Sequence, residues 1–107
     1  MSIEYYLRKN ICQYCKRYDQ TPIGVSSIGW KFSFYTDNIH KNADDWIKEF
    51  VEPNKIFDEY DREISFDYFM EYILSKVHGK SLAKSPYDRM GVSTDGKFDY
   101  APFDGNV

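Results

Sequence analysis

Residues 30–36, WKFSFYT, alternate between large apolar rings and polar side chains, and this alternation constrains the fold more than any other stretch. Trp30, Phe32 and Phe34 would lie on one face of an extended chain, because successive side chains of a strand point to opposite faces. A strand with one buried face is the structure that this pattern predicts. The fold must therefore contain a sheet.

Two later segments have helical spacing. Asn42 can cap a helix that carries two aspartates in its first turn, and Pro53 would stop that segment. Ser65 can cap a second helix that runs to about Val77, with Gly79 as its C-cap. The apolar residues of this second segment recur every three or four positions, as on the buried face of a helix: Phe66, Phe69, Met70, Ile73, Leu74 and Val77.

Three further segments extend the predicted order of elements. Residues 2–11 are rich in aromatic and β-branched side chains and predict a strand, with 12–18 as its turn. Residues 21–30, TPIGVSSIGW, hold one proline and two glycines, which predicts that they interrupt structure rather than propagate it. Residues 55–64 are predicted to be extended, with a hairpin turn near 60–61.

The stretch after the second helix has the weakest pattern. Residues 80–107 are polar, and KFDY (97–100) is suited to a short closing strand. The elements follow the order β-β-α-β-α with an irregular C-terminal tail, which predicts an α+β fold with a small antiparallel sheet and two helices. At 107 residues the chain is expected to form one domain, with a core over about 2–79 and the tail packed on that core or on a partner.

Composition and charge favour a binding protein over an enzyme. Aromatic residues make up 19% of the chain, with ten Tyr and eight Phe, so we expect a core built from rings and tyrosines left over for a partner. The net charge is −3, made up of +3 in residues 1–41 and −6 in residues 42–107. General nucleic-acid binders usually carry a basic surplus, which this chain as a whole lacks. No apolar run approaches the roughly 18–20 residues that span a bilayer, so no membrane contact is expected.

The pair Cys12 and Cys15 has the spacing of a metal knuckle. A turn between strands lets two thiolates face one ion, and the basic pair that follows would favour thiolate over thiol. A structural zinc needs four ligands, and the sequence offers no second C-x-x-C. The only imidazoles, His40 and His78, are distant in sequence. Bound zinc, a redox pair and two reduced structural cysteines remain the alternatives.

Two other stretches could carry chemistry. Ser26 and Ser27 lie between glycines in IGVSSIGW, where a turn could cradle a phosphate or simply lead into the next strand. Asp58, Glu59 and Glu63 belong to a carboxylate-rich stretch that could bind a divalent cation or act in acid–base catalysis. A turn and a helix start rich in acidic residues would have the same composition.

The order of the motifs resembles that of a known set of proteins. The C-x-x-C turn is followed by IGVSSIGWKFSF, then by DDWIKEF, then by IFDEYDREIS. In that order and spacing the chain resembles small bacteriophage-encoded proteins of uncharacterised function. The matching residues are Asn10, Cys12, Cys15, Ile23, Gly24, Ser26, Ser27, Gly29, Trp30, Phe32, Asp58, Glu59, Tyr60, Arg62, Glu63, Ile64 and Ser65. This chain has Pro22 where the pattern often carries a histidine, a natural third metal ligand.

The resemblance implies a viral accessory protein that acts in the host cytoplasm. With the tyrosine excess, it predicts that the chain binds a host or phage macromolecule, with a protein as the expected partner, and inhibits a bacterial defence or takeover target. No catalytic residue and no required cofactor are expected. The alternatives are a zinc-knuckle module that contacts nucleic acid and a carboxylate-based, metal-dependent hydrolase. The residues expected to contact the partner are Tyr14, Lys16, Arg17 and Tyr18.

Overall fold

The structure, a computed structural model, describes residues 2–12, 14–81 and 93–102. Within these ranges the chain forms one mixed sheet of seven strands and two helices. The strands are β1 (Ser2–Lys9), β2 (Asp19–Ser27), β3 (Ser33–Thr36), β4 (Lys55–Asp58), β5 (Glu63–Ile64), β6 (Ser93–Thr94) and β7 (Asp99–Pro102), and the helices are α1 (Ala43–Ile47) and α2 (Phe66–Leu74). The strand order is β5-β4-β1-β2-β3-β7-β6, and every pairing is antiparallel except that of β3 with β7.

The predicted α+β class is confirmed, but the predicted size of the sheet and the predicted element order are wrong. The described residues follow the order β-β-β-α-β-β-α-β-β rather than β-β-α-β-α. One added strand, β2, occupies the stretch predicted to interrupt structure. Pro22 is tolerated in β2 because the pairing with β1 shifts register beside it, between Tyr5 and Tyr6. Prolines occur at such irregularities because they cannot donate a ladder hydrogen bond.

Gly24 is needed in β2 because β3 approaches it closely. A Cβ atom at this position would lie 2.1 Å from the Ser33 carbonyl oxygen and 2.8 Å from the Phe32 ring. The sequence predicts that Gly24 interrupts the chain's structure. In the structure it lies within β2, where the absence of a side chain allows β2 and β3 to pair. Trp30 lies outside β3 and forms an isolated bridge with Lys80.

Part of the predicted irregular tail belongs to the sheet. β7 pairs in parallel with β3, with Asp99 opposite Ser33, and β6 pairs with β7. The Ser81 hydroxyl donates a hydrogen bond of 2.6 Å to the buried Asp99 carboxylate, which joins the chain after α2 to β7. The closing strand predicted at 97–100 is therefore found at 99–102. Predictions for residues 82–92 and 103–107 lie outside the described residues.

Both predicted N-caps are confirmed, and both helices are shorter than predicted. The Asn42 side chain accepts a hydrogen bond from Asp45 N at 3.0 Å, and the Ser65 hydroxyl accepts one from the first turn of α2 at 3.2 Å. α1 has five residues and α2 has nine, and α2 is capped at Ser75 rather than at Gly79. Isolated helices of this length are not stable in water, so both depend on packing against the rest of the chain.

Aromatic rings make up most of the hydrophobic core, as the composition predicts. The Phe32 ring meets two others edge-on, with centroid distances of 4.8 Å to Phe34 and 5.5 Å to Phe69. The buried apolar residues are Tyr5, Leu7, Ile23, Phe32, Phe34, Ala43, Trp46, Phe50, Ile56, Phe69, Ile73, Phe98 and Tyr100. Among the described residues, no helix is both long enough and apolar enough to cross a membrane.

Candidate functional site

The turn between β1 and β2, of which the structure describes residues 10–12 and 14–18, is called the hairpin tip below. The chain reverses there through two backbone hydrogen bonds of 2.8 Å each, from Cys12 N to Arg17 O and from Lys16 N to Cys12 O. Lys16 has a φ of 59°, in the left-handed region, which closes the turn. The turn predicted at 12–18, after the first strand, is therefore found, and it presents both cysteines at one end of the sheet.

The side chains predicted to contact a partner are all exposed at the hairpin tip: Tyr14, Lys16, Arg17 and Tyr18. Tyr14 is 99% exposed, whereas Tyr18 is 43% exposed and its ring centroid lies 4.2 Å from the guanidinium carbon of Arg8. This cation–π contact holds Tyr18 against the hairpin and leaves the Tyr14 ring open to solvent. Within the described residues, neither Lys16 nor Arg17 forms an ion pair.

Cys12 and Cys15 are both free thiols. The backbone N–H of Cys15 donates a hydrogen bond of 3.4 Å to Cys12 Sγ. This bond, a side-chain contact with Cys15 and the backbone N–H of Tyr14 lower the pKa of the Cys12 thiol, because each donor stabilises the thiolate. In the part of the chain that the structure describes, no three His, Cys, Asp or Glu side chains are grouped closely enough to hold a metal ion. The predicted ligand pair therefore has no third ligand there.

Neither histidine completes the cysteine pair. His40 is 3% exposed, and its Nδ1 lies 3.1 Å from each carboxylate oxygen of Asp37, while its Nε2 contacts Glu49. His78 follows α2, and the residues after it contact the β2–β3 turn, at the end of β2 opposite the hairpin tip. The ring nitrogens of His40 are thus occupied, and His78 lies at the wrong end of the hairpin.

A charged network that sequence reasoning missed joins the end of β1 to the segment around α1. The Lys9 ammonium contacts one oxygen of Glu49, and the His40 ring contacts the other. The His40 ring also stacks on Trp46, with ring centroids 3.8 Å apart. In the sequence, the only local indication of this network is that Asp37 precedes His40 by three residues. That spacing does not predict a buried histidine, because histidines near helix ends are often surface residues.

The network sets the pKa of two carboxyl groups. Desolvation by burial raises the pKa of Asp37, but hydrogen bonds from the backbone and ring of His40 outweigh it, so the pKa is lowered overall. Desolvation by burial also raises the pKa of Glu49. The hydrogen bonds from Lys9 and His40 lower it by more, so the pKa of Glu49 is lowered overall. Both groups are therefore stabilised as carboxylates in the folded chain.

Glu49→Gln is expected to lower the free energy of unfolding by about 2 kcal/mol at neutral pH, because it removes the charged acceptor of Lys9 and His40. A carboxyl whose pKa is lowered on folding stabilises the folded state above its unfolded pKa, about 4.3 for Glu, and this contribution is lost as the pH falls through the folded value. The difference between wild type and variant should therefore shrink below about pH 4. Urea unfolding between about pH 7 and pH 3 measures it.

A matched control for this prediction is Glu52→Gln, which removes the same charge from an exposed position. The control should stay within about 0.5 kcal/mol of wild type over the same pH range. An acid dependence in Glu49→Gln as steep as that of wild type would show that the Glu49 carboxylate does not carry the effect.

The carboxylates proposed for a hydrolase have separate partners. Asp58 accepts a hydrogen bond of 2.7 Å from Arg62, and Glu63 pairs with Lys55 at 3.3 Å. Glu59 accepts a hydrogen bond of 2.8 Å from a β1 backbone N–H. Among the described residues these side chains do not form a shared site for a metal ion. The arrangement therefore gives the hydrolase hypothesis no support.

The two serines of the IGVSSIGW stretch lie in β2 and connect it to α2. The Ser26 hydroxyl forms a hydrogen bond of 2.6 Å with the Tyr72 hydroxyl. The Ser27 carbonyl accepts a hydrogen bond of 2.7 Å from the Lys76 ammonium. Both residues thus tie β2 to α2 and the residues that follow it. The turn of this stretch lies after them, at Ile28 and Gly29, and is closed by a hydrogen bond of 3.1 Å from Trp30 N to Ser27 O, so it leads the chain out of β2.

An open groove of about 410 Å³ lies between β1, β5 and α2. Tyr68 and Tyr72 line it, together with Asp58 and Arg62. Two polar pairs at this groove are already made within the chain, Asp58 with Arg62 and Tyr72 with Ser26. The hairpin tip, where a ring and two cations face solvent, is therefore the stronger candidate for a binding site.

Comparison of the chain with protein-family models, with curated proteins and with solved structures found no match. The resemblance to small phage proteins stays a prediction from the sequence motifs. The interpretation of the hairpin tip therefore depends on its own geometry and charge.

Proposed function

We propose that this chain is a phage accessory protein that acts by binding a macromolecule of the host or the phage through its hairpin tip. The observation that carries the proposal is the 99% exposure of Tyr14 beside Lys16 and Arg17, which form no ion pair with any residue that the structure describes. Tyrosine and arginine are enriched at protein interfaces, where a ring buries a large area at a low cost in conformational entropy. The hairpin tip presents both residue types on a tight turn.

The partner that fits the hairpin tip best is a protein with an acidic surface. Lys16 and Arg17 make the tip basic, although the chain as a whole has a net charge of −3. Charges at the edge of an interface steer association and suppress wrong partners, while a central ring supplies most of the affinity. Tyr14 would be that central ring.

Binding would take place in the cytoplasm of an infected bacterium and would inhibit its target. The sequence resemblance to phage proteins supports this setting. A component of a bacterial defence system, or a host enzyme that the phage takes over, is the partner class that this setting favours. Binding in a stable, stoichiometric complex would be sufficient for inhibition, without any catalytic residue.

The test uses the double variant Tyr14→Ala with Lys16→Ala. A partner retained from lysate of infected or uninfected bacteria is identified by mass spectrometry and then titrated with purified protein. We expect the double variant to bind at least about 30-fold more weakly than wild type, because loss of a central ring alone typically costs 2 kcal/mol or more.

The matched control for this test is Tyr68→Ala with Lys48→Ala. It removes the same residue types from exposed positions on α2 and after α1, with Tyr68 63% exposed and the Lys48 side chain 76% exposed. The control should bind within about threefold of wild type. An equal loss in both variants, or no retained partner in either lysate, would contradict a binding role for the hairpin tip.

A second candidate is contact with single-stranded nucleic acid. It is favoured by the same open ring, since Tyr14 could stack on a base while Lys16 and Arg17 contact phosphates. Fluorescence anisotropy with a labelled oligonucleotide distinguishes this candidate. With two phosphate contacts its affinity would fall by about sevenfold as salt rises from about 50 to 200 mM, whereas no binding, or binding that does not respond to salt, would contradict this candidate.

A further inference from the structure

The turn at the hairpin tip has the C-x-x-C spacing and an amide-to-sulfur hydrogen bond, as half of a zinc site would have. The Cys15 N–H donates to Cys12 Sγ at 3.4 Å, and Lys16 N donates to Cys12 O at 2.8 Å. These bonds fix both cysteines on one tight turn, where two sulfurs can face one ion. Amide hydrogen bonds to a ligating sulfur are the outer contacts that orient metal ligands in proteins.

The chain cannot supply the other half of such a site from its sulfur and imidazole groups. A structural zinc takes four ligands, usually Cys and His. The whole sequence contains two Cys and two His. Both ring nitrogens of His40 face carboxylates, and His78 lies beyond the opposite end of β2. Among the described residues no carboxylate joins the two cysteines either. A zinc ion held by Cys12 and Cys15 would therefore take its remaining ligands from a second molecule.

The hairpin tip lies past the pairs that its two strands make with their neighbours in the sheet. β4 pairs with β1 only as far as Arg8, and β3 pairs with β2 only at Gly24 and Val25. The last β1–β2 pair joins Lys9 and Asp19, so the start of β2 and the turn extend past the neighbouring strands. A second hairpin tip would meet this turn beyond the last pairs that β1 makes with β4 and β2 makes with β3.

We infer that two copies of this chain join at their hairpin tips through one Zn²⁺ ion, held by Cys12 and Cys15 of each copy. Four thiolates and one divalent ion carry a formal charge of roughly −2. Lys16 and Arg17 of both copies would lie beside the ion and offset that negative charge. The dimer thus gives a reason for the basic side chains that follow Cys15. This dimer goes beyond the proposed function, since it needs no other partner.

The experiment titrates Zn²⁺ alone into the reduced 12.7 kDa chain and follows the mass by sedimentation velocity. We expect about half an equivalent of zinc per chain, a doubling of mass, and return to the monomer on addition of a chelator. Co²⁺ in place of Zn²⁺ should give the sulfur-to-metal charge-transfer bands and tetrahedral spectrum of four thiolate ligands.

Two variants separate ligation from folding. Cys12→Ser with Cys15→Ser should abolish zinc binding and the dimer, while its free energy of unfolding without metal stays within about 0.5 kcal/mol of wild type, because both residues lie on an exposed turn. His78→Ala should bind zinc and dimerise as wild type does. Zinc below about a tenth of an equivalent, one zinc per monomer, or a dimer that survives chelation would each overturn the inference.

The outcome can be separated from that of the binding test. The zinc titration contains no other macromolecule, so its failure leaves the effect of Tyr14→Ala with Lys16→Ala on partner affinity unaffected. If both hold, the dimer would present two basic hairpin tips side by side, and the partner should bind more tightly in zinc than in chelator.

Discussion

Gly24→Ala is expected to lower the free energy of unfolding by at least about 3 kcal/mol, the cost of one methyl group placed between β2 and β3. The new carbon would lie 2.1 Å from Ser33 O and 2.8 Å from the Phe32 ring. The first is a backbone atom, and Phe32 is fully buried. Neither can move aside without displacing a strand or the close-packed core.

Gly29→Ala is the control that separates steric overlap from backbone strain. Gly29 has a φ of 85°, and an added Cβ would have no neighbour within 4 Å. The variant should therefore cost only the strain of a left-handed residue, about 1–2 kcal/mol. Urea unfolding followed by circular dichroism measures both. A loss at Gly24 no larger than that at Gly29 would contradict the close approach of the strands.

The sequence predicts the elements whose cause is local. Asn42 and Ser65 each bond a backbone N–H three residues further on, so the signal and its effect lie within one helical turn. β2 could not be predicted in the same way, because the need for Gly24 is explained only by the close approach of the neighbouring strand, β3. For β7 the sequence predicts the strand but not its place in the sheet, since Asp99 pairs in parallel with Ser33 from the far end of the chain.

The candidate site also has one part whose cause is local in the sequence and one part that depends on the folded chain. The hairpin tip could be predicted because a C-x-x-C turn with basic and aromatic neighbours is complete within nine residues. The charged network could not, since Lys9 and Glu49 meet only after β1 and the segment around α1 are folded together. A sequence pattern therefore locates the exposed turn, whereas the structure is needed to find what holds the histidine away from the cysteines.

Trp46→Ala is expected to cost about 4 kcal/mol, the second large effect on stability. Trp46 is fully buried, its ring stacks on His40 at 3.8 Å, and its Nε1–H donates a hydrogen bond of 2.8 Å to Tyr35 O. α1 has only five residues, so this side chain and not helix propensity keeps it in place. Trp46→Phe keeps a ring but loses the donor, and it should cost about 2 kcal/mol. Urea unfolding of both variants tests this order.

The Trp46 and Glu49 effects should not add. If α1 leaves the sheet in Trp46→Ala, Glu49 no longer meets Lys9 and His40, so Glu49→Gln has little left to remove. A double-mutant cycle should therefore give a coupling of about 1–2 kcal/mol between the two positions. Additivity within about 0.3 kcal/mol would mean that the network survives without the tryptophan. Coupling would show instead that α1 packing and the charged network near the hairpin tip form one cooperative unit.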